Sequence, residues 1–129
     1  MRERSVTPVL GTFSVIPGRQ HGRRIGIPTL NLDLGGQLLP LVAGIYAGVV
    51  SIESQRFPAV FHYGPRPMID DPTVSFEAHL LNVRLPTTPR VVGVELEYWL
   101  RSIEIFPDET ALKHQISLDI AAAQSVLGI

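Results

Sequence analysis

From Val74 to Val83 apolar and polar residues alternate. Val74, Phe76, Ala78 and Leu80 share one side, and Ser75, Glu77, His79 and Leu81 share the other. A period of two is that of a β-strand with one buried face. Val91 to Leu100 alternates more cleanly, with Val92, Val94, Leu96, Tyr98 and Leu100 opposite Glu95, Glu97 and Trp99. Val9–Ile16, Leu41–Ser54 and Arg56–Tyr63 also read as strands, the last two joined as a hairpin at the polar turn Glu53-Ser54-Gln55. From Asp108 the period changes. Leu112, Ile116, Ile120, Ala123 and Leu127 recur at three- and four-residue steps, which predicts an amphipathic helix with Asp108 as N-cap and Gly128 as its C-terminal stop.

Five strand-like segments followed by one helix, without alternating βα units, predict an antiparallel barrel or sandwich. The helix would pack against it or cover an opening. The 129 residues suffice for one domain and are too few for two ordinary ones. Cysteine is absent, which removes disulfide scaffolds and thiolate zinc sites and fits a reducing compartment. The first residues, Met-Arg-Glu-Arg-Ser-Val-Thr-Pro, lack the apolar core of a secretory signal, and the apolar runs are far too short to span a membrane. A net charge of −1 argues against broad nucleic-acid binding.

Charge is instead concentrated locally. Gly18-Arg-Gln-His-Gly-Arg-Arg-Ile-Gly-Ile-Pro-Thr-Leu-Asn31 places three glycines, three arginines and His21 in one short loop running into Pro28-Thr29-Leu30-Asn31. Glycines let backbone N–H groups close on an anion, and arginines add charge-assisted donors for phosphate. Thr29 and Asn31, two apart in an extended segment, put two neutral oxygen ligands on one side, where they suit a hard cation such as Mg²⁺. The bland alternative is a solvated turn tied down by its own side chains. Neither a helix after the glycines nor a Gly-Lys-Ser/Thr is present, so Rossmann and P-loop architectures are disfavoured.

Glu77 stands in an otherwise apolar or small segment, either facing solvent or facing a cleft as a general base for a substrate hydroxyl. Glu77 and His79 share a strand face, but no further ligands stand at zinc spacing. His21 and His62 are isolated in sequence, His114 falls on the wet side of the helix, and Asp70 and Asp71 precede Pro72 in a turn. Trp99 is a packing residue in preference to a flavin- or nucleotide-stacking one.

Taken in order, Gly11–Asn31, Gly44-Ile45-Tyr46-Ala47, Tyr63-Gly-Pro-Arg-Pro67, Phe76-Glu-Ala-His-Leu-Leu81, Leu100-Arg101 and Phe106 resemble the riboflavin kinases. The likeness is greatest to the C-terminal kinase domain of the bacterial bifunctional riboflavin kinase/FAD synthetase. It runs from about Val9 to Leu127, and its most specific element is Gly-Arg-x-x-Gly-x-Pro-Thr-x-Asn with a downstream Glu-x-His-Leu-Leu. The resemblance implies a six-stranded antiparallel Greek-key barrel with a C-terminal helix, as a single domain over residues 1–129. It also implies transfer of the ATP γ-phosphoryl group to the ribityl 5′-hydroxyl of riboflavin, giving FMN and ADP.

By motif position, Glu77 is the catalytic base, and Thr29 and Asn31 hold Mg²⁺. Gly18, His21, Gly22, Arg24, Gly26, Pro28, Thr29 and Asn31 bind the nucleotide, and Arg101 and Phe106 meet the flavin. The expected partners are riboflavin and ATP, with no nucleic acid and no membrane, for a monomer in the cytoplasm. With one phosphate-binding stretch in these residues, the reaction is expected to stop at FMN. The chain departs from the family pattern at His62 (for Asn), Met68 (for Thr), Ile105 (for Lys) and the loop before Val91, all toward the flavin side. A non-catalytic flavin- or nucleotide-binding module on the same barrel, and a kinase for another small alcohol, are the alternatives.

Overall fold

A computed structural model describes residues 4–6, 9–17, 28–66 and 73–129. Within them lie seven strands, β1 (Arg4–Ser5), β2 (Val9–Ile16), β3 (Thr29–Leu32), β4 (Gly44–Ile52), β5 (Gln55–Pro65), β6 (Val74–Leu80) and β7 (Val91–Arg101), followed by helix α1 (Glu109–Leu127). The spatial order is β1-β7-β2-β3-β6-β5-β4, and β4 pairs back onto β7, so the antiparallel sheet closes. β1 and β2 share one edge of β7, β1 beside Tyr98 and Trp99 and β2 beside Val91 to Glu95. They therefore count as one stave of a six-stranded barrel. β4, β5 and β6 form a meander and β3 returns to lie beside β6, which is the Greek-key order.

Five of the strands match those the alternation predicts; β1 and β3 are too short to show a period. The predicted strand from Leu41 starts only at Gly44. The preceding segment is held back on core tyrosines, with the Tyr46 hydroxyl donating to Val42 O at 2.6 Å and the Leu39 N–H donating to Tyr63 Oη at 2.8 Å. β6 stops at Leu80, short of Val83, because Asn82 takes a left-handed φ of 57°.

Side chains of one parity fill the barrel: Leu30, Leu32, Tyr46, Val50, Phe61, Tyr63, Phe76, Leu80, Val92, Val94 and Leu96. Phe76 is the hub. Its ring centroid lies 5.3 Å from Phe13, 5.9 Å from Phe61 and 5.8 Å from Tyr63. Each such pair contributes about 0.5–1.5 kcal/mol beyond the area it buries.

The predicted face of β7 holds only through Leu96. Register shifts against β4 at Ala47/Gly48 and Ile45/Tyr46 insert extra residues into β7. The first, which leaves Glu97 unpaired, reverses its parity, so Trp99 joins the barrel core while Tyr98 turns to the helix side; the second, at Leu100, restores it, so Leu100 also lies on the helix side. At this crossing Gly48 is required, since a Cβ there would run into the Glu95 carbonyl oxygen.

On the outer surface, Ile45, Ala47, Val60, Leu81 and Leu100 form a second apolar cluster beneath α1, meeting Ala123, Ile120, Val126 and Leu127. Asp108 and Gly128 cap the helix as predicted. The Ala111 N–H donates to Asp108 Oδ1 at 2.8 Å, and Gly128 adopts a φ of 75°. The N-terminal part of the predicted stripe, Leu112 and Ile116, is only half-buried and lies outside that cluster. No helix among the described residues is long and apolar enough to cross a membrane.

The β4–β5 hairpin turns through Glu53 and Ser54 at φ 48° and 76°. Positive φ at both central residues is the type I′ pattern that Asn-Gly satisfies without strain. The double change Glu53→Asn, Ser54→Gly is expected to stabilise the protein by about 0.5–2 kcal/mol. Guanidinium unfolding checks this; an unchanged or lowered midpoint would contradict the strain argument.

Candidate functional site

With Leu30, Leu32, Phe76, Ala78, Phe61 and Tyr63 committed to the interior, the residues between them on β3, β6 and β5 must face outward. Pairing places Asn31 opposite Glu77 and Glu77 opposite His62, which in turn lies opposite Ile45, and Ile45 lies opposite Arg101. One row thus crosses five strands. The adjacent row sets Thr29 opposite His79 and His79 opposite Val60. Opposed Cβ atoms in such pairs lie about 4.5–5.5 Å apart, so Thr29, Asn31, Glu77 and His79 form one cluster beside the apolar patch that α1 covers.

Burial marks the same surface. Three buried polar or charged residues stand among the described ones, Asn31 at 6%, His62 at 7% and Asp119 at 6% exposure. All three lie on the outer face or on the helix packed against it. Burying polar groups costs free energy unless they are bonded, and among the described residues this surface bears that cost.

The bonds can be followed. Thr29 Oγ1 and His79 Nδ1 are 3.0 Å apart. His62 Nε2 donates to Pro65 O at 2.9 Å, and its Nδ1 lies 3.5 Å from Ser75 Oγ. Leu80 N–H donates to the Pro28 carbonyl at 3.0 Å, which seats the entry to β3 on the end of β6. Burial lowers the pKa of both imidazoles. For His62 the charge of Arg101 adds to the lowering, while Glu77 and the Pro65 carbonyl oppose it. For His79 the neighbouring His62 adds to the lowering, and Glu77 and Asp119 oppose it.

Thr29, Asn31 and Glu77 are brought together. Their oxygens form a small, hard donor set, which suits a cation that keeps its waters and shares phosphate oxygens. No group of three or more His, Cys, Asp or Glu with metal-site geometry occurs among the described residues. Gly18, His21, Gly22, Arg24 and Gly26, like Met68, Asp70 and Asp71, lie outside the described residues.

Arg101 has a different setting from the rest. Its Nε and Nη2 donate to the two carboxylate oxygens of Asp119 at 2.7 and 2.8 Å, and its Nη1 donates to Ser102 O at 2.9 Å. Gln115 Nε2 adds a bond to Asp119 Oδ1 at 3.0 Å, and Phe106 stacks under the guanidinium at 5.9 Å. Arg101 is thus a clamp between β7 and α1. The sequence reading missed Asp119 and Gln115. Their signal is the i, i+4 spacing of an amide and a carboxylate within an otherwise apolar helix stripe.

Residues 7–127 match the family model described as riboflavin kinase. The chain belongs to the riboflavin kinase family. It is 34% identical over 113 residues to the bifunctional riboflavin kinase/FMN adenylyltransferase of Pseudomonas fluorescens, covering 87% of this chain and 36% of that one. With the protein of the same name from Escherichia coli K12 it is 34% identical over 116 residues, covering 89% and 37%. The counterpart from Haemophilus influenzae is 35% identical over 112 residues, covering 86% and 36%. The chain therefore spans little more than a third of the length of these relatives. A solved structure described as a macrolide-efflux protein from Streptococcus pneumoniae superposes with a TM-score of 0.73 at 24% identity. It covers 88% of this chain and 38% of that one, a likeness of fold alone.

The lowered imidazole pKa values carry a sign. The unfolded chain takes up protons at His62 and His79 near their ordinary value of 6.5, before the folded chain does. Their contribution to stability is therefore complete above about pH 6.5 and is lost as pH falls toward the folded values, with a slope of up to about 1.4 kcal/mol per pH unit for each ring. His62→Gln keeps a donor near the Nε2 position and removes the titration. Urea unfolding at pH 7.5, 6.5 and 5.5 should show a shallower loss for the variant than for the parent. Parallel pH profiles would contradict it.

Proposed function

We propose that this chain transfers the γ-phosphoryl group of ATP to the ribityl 5′-hydroxyl of riboflavin, with Mg²⁺, giving FMN and ADP. Membership of the riboflavin kinase family supports the reaction. The observation that carries the site assignment is the β3–β6 register, which sets Asn31 against Glu77 on the outer face with Thr29 one pair away.

In this reading Glu77 accepts the 5′-hydroxyl proton. The freed oxygen bonds to the γ-phosphorus as the bond from that phosphorus to the β–γ bridging oxygen breaks, and ADP leaves. Thr29 Oγ1 and the Asn31 side-chain oxygen would hold the magnesium, which when bound would supply charge neutralisation for the transfer. Gly18, His21, Gly22, Arg24 and Gly26 are assigned to nucleotide binding, and Pro28, whose carbonyl accepts from the Leu80 N–H, sets the entry to β3.

Phosphoryl transfer depends mainly on positioning and electrostatics, and the β3–β6 register sets Thr29, Asn31 and Glu77 in fixed relation. On the flavin side, Phe106 borders the isoalloxazine ring. Arg101, three of whose N–H groups are already donated, serves by fixing Phe106 and α1. The same reading has the chain act on its two small-molecule substrates as a monomer in the cytoplasm.

The test is chromatographic. Purified protein with riboflavin, ATP and Mg²⁺ should produce FMN and ADP in equal amounts over many turnovers. Glu77→Gln should lower turnover on the order of 10²–10⁴-fold while still binding riboflavin and Mg·ADP. Flavin binding without FMN from the parent would identify a non-catalytic module. Near-parental turnover in the variant would make Glu77 an ordinary strand residue.

A further inference from the structure

His79 has no part in the transfer just described, yet its ring is bonded to the Thr29 side chain. It lies two residues beyond Glu77 on the same outer face, directly opposite Thr29. Its Nδ1 is 3.0 Å from Thr29 Oγ1, a side-chain bond between residues 50 apart in sequence. On its other side it is paired with Val60, which belongs to the apolar cluster beneath α1. Between a packed valine and a threonine, the half-buried ring has little freedom to swing.

A threonine hydroxyl has one proton and two lone pairs, and its χ1 rotamer decides where both point. When the hydroxyl donates to Nδ1, its proton is directed along the sheet, and the oxygen is turned so that a lone pair can meet a cation on the outer face.

We infer that His79 is a positioning residue, whose Nδ1 accepts the Thr29 hydroxyl proton and thereby aims the Thr29 oxygen at the magnesium. The inference rests on the reading of Thr29 as a metal ligand. Outer partners of this kind act by fixing ligand orientation, and their loss typically costs about 10–100-fold in metal affinity.

Two substitutions separate positioning from packing, because both remove the ring. Asparagine carries its amide where Nδ1 was, and glutamine carries it where Nε2 was. Binding of ADP to the full chain is measured by calorimetry with Mg²⁺ and again with EDTA. His79→Gln should weaken Mg²⁺-dependent binding about 10–100-fold and leave metal-free ADP and riboflavin binding unchanged. His79→Asn should stay within a few-fold of the parent. Thr29→Ala should show the same magnesium-selective loss, and adding His79→Gln to it should cost nothing more.

If Thr29→Ala leaves Mg²⁺-dependent binding intact, the metal-corner assignment itself is wrong. If Thr29→Ala loses it but His79→Gln does not, or if His79→Asn fails as badly as His79→Gln, the positioning role is overturned. The parent protein supplies a second measurement that needs no variant. At neutral pH the ¹⁵N spectrum of His79 should show a proton on Nε2 and an unprotonated, hydrogen-bonded Nδ1. A proton on Nδ1 would overturn the proposal even if the glutamine variant did not fold.

Discussion

The pairing of β6 between β3 and β5 is the constraint on which the site depends. Because the side-chain period of a strand is two, a slip of one residue would send Glu77 and His79 into the barrel and Phe76 and Ala78 out of it. Phe76, wedged among Phe13, Phe61 and Tyr63, makes such a slip prohibitive. The polar residues between the core positions are then delivered to the outer face in register with Asn31 and Thr29. The proposed arrangement of Thr29, Asn31 and Glu77 is thus a by-product of core packing.

The outer face is divided in two. One half is apolar and covered by α1; the other carries the buried or half-buried polar groups. The bidentate pair between Arg101 and Asp119 stands at this boundary and ties the helix to β7. A buried pair of this kind is weak evidence for net stability, since desolvation offsets its attraction. Its geometric effect is firmer, because two parallel bonds fix the helix in rotation as well as position. With the helix fixed, the row from Glu77 to Arg101 keeps one arrangement.

Much of this was legible in the sequence. The alternation in Val74–Leu80 placed Glu77 and His79 together opposite the core side chains, and Asp108 and Gly128 marked both ends of the helix. Thr29 and Asn31 were read as sharing a side because they are two apart in an extended segment, and β3 bears that out. What was not legible came from pairing between distant segments. The parity reversal at Trp99 arises from the bulge at Glu97 in β7 against β4, and no period within β7 reveals where a residue will be left unpaired. The bond from Thr29 to His79 joins two motifs that only the register brings together. His62, isolated in sequence, becomes a neighbour of Glu77 for the same reason. Nothing in the helix pattern pairs Asp119 with Arg101; only the fold sets the two together.

In the proposed function, nucleotide, metal and flavin meet on the outer face of β3, β6 and β5, at the edge of the helix-covered patch. A crystal structure of the chain with riboflavin, Mg²⁺ and a non-hydrolysable ATP analogue tests it most directly. A magnesium ion is expected about 2.0–2.1 Å from Thr29 Oγ1 and the Asn31 side-chain oxygen, with the riboflavin 5′-hydroxyl within hydrogen-bond distance of the Glu77 carboxylate, about 2.6–3.2 Å. Ligands seated on another face of the barrel, or a metal held without Thr29 and Asn31, would contradict it.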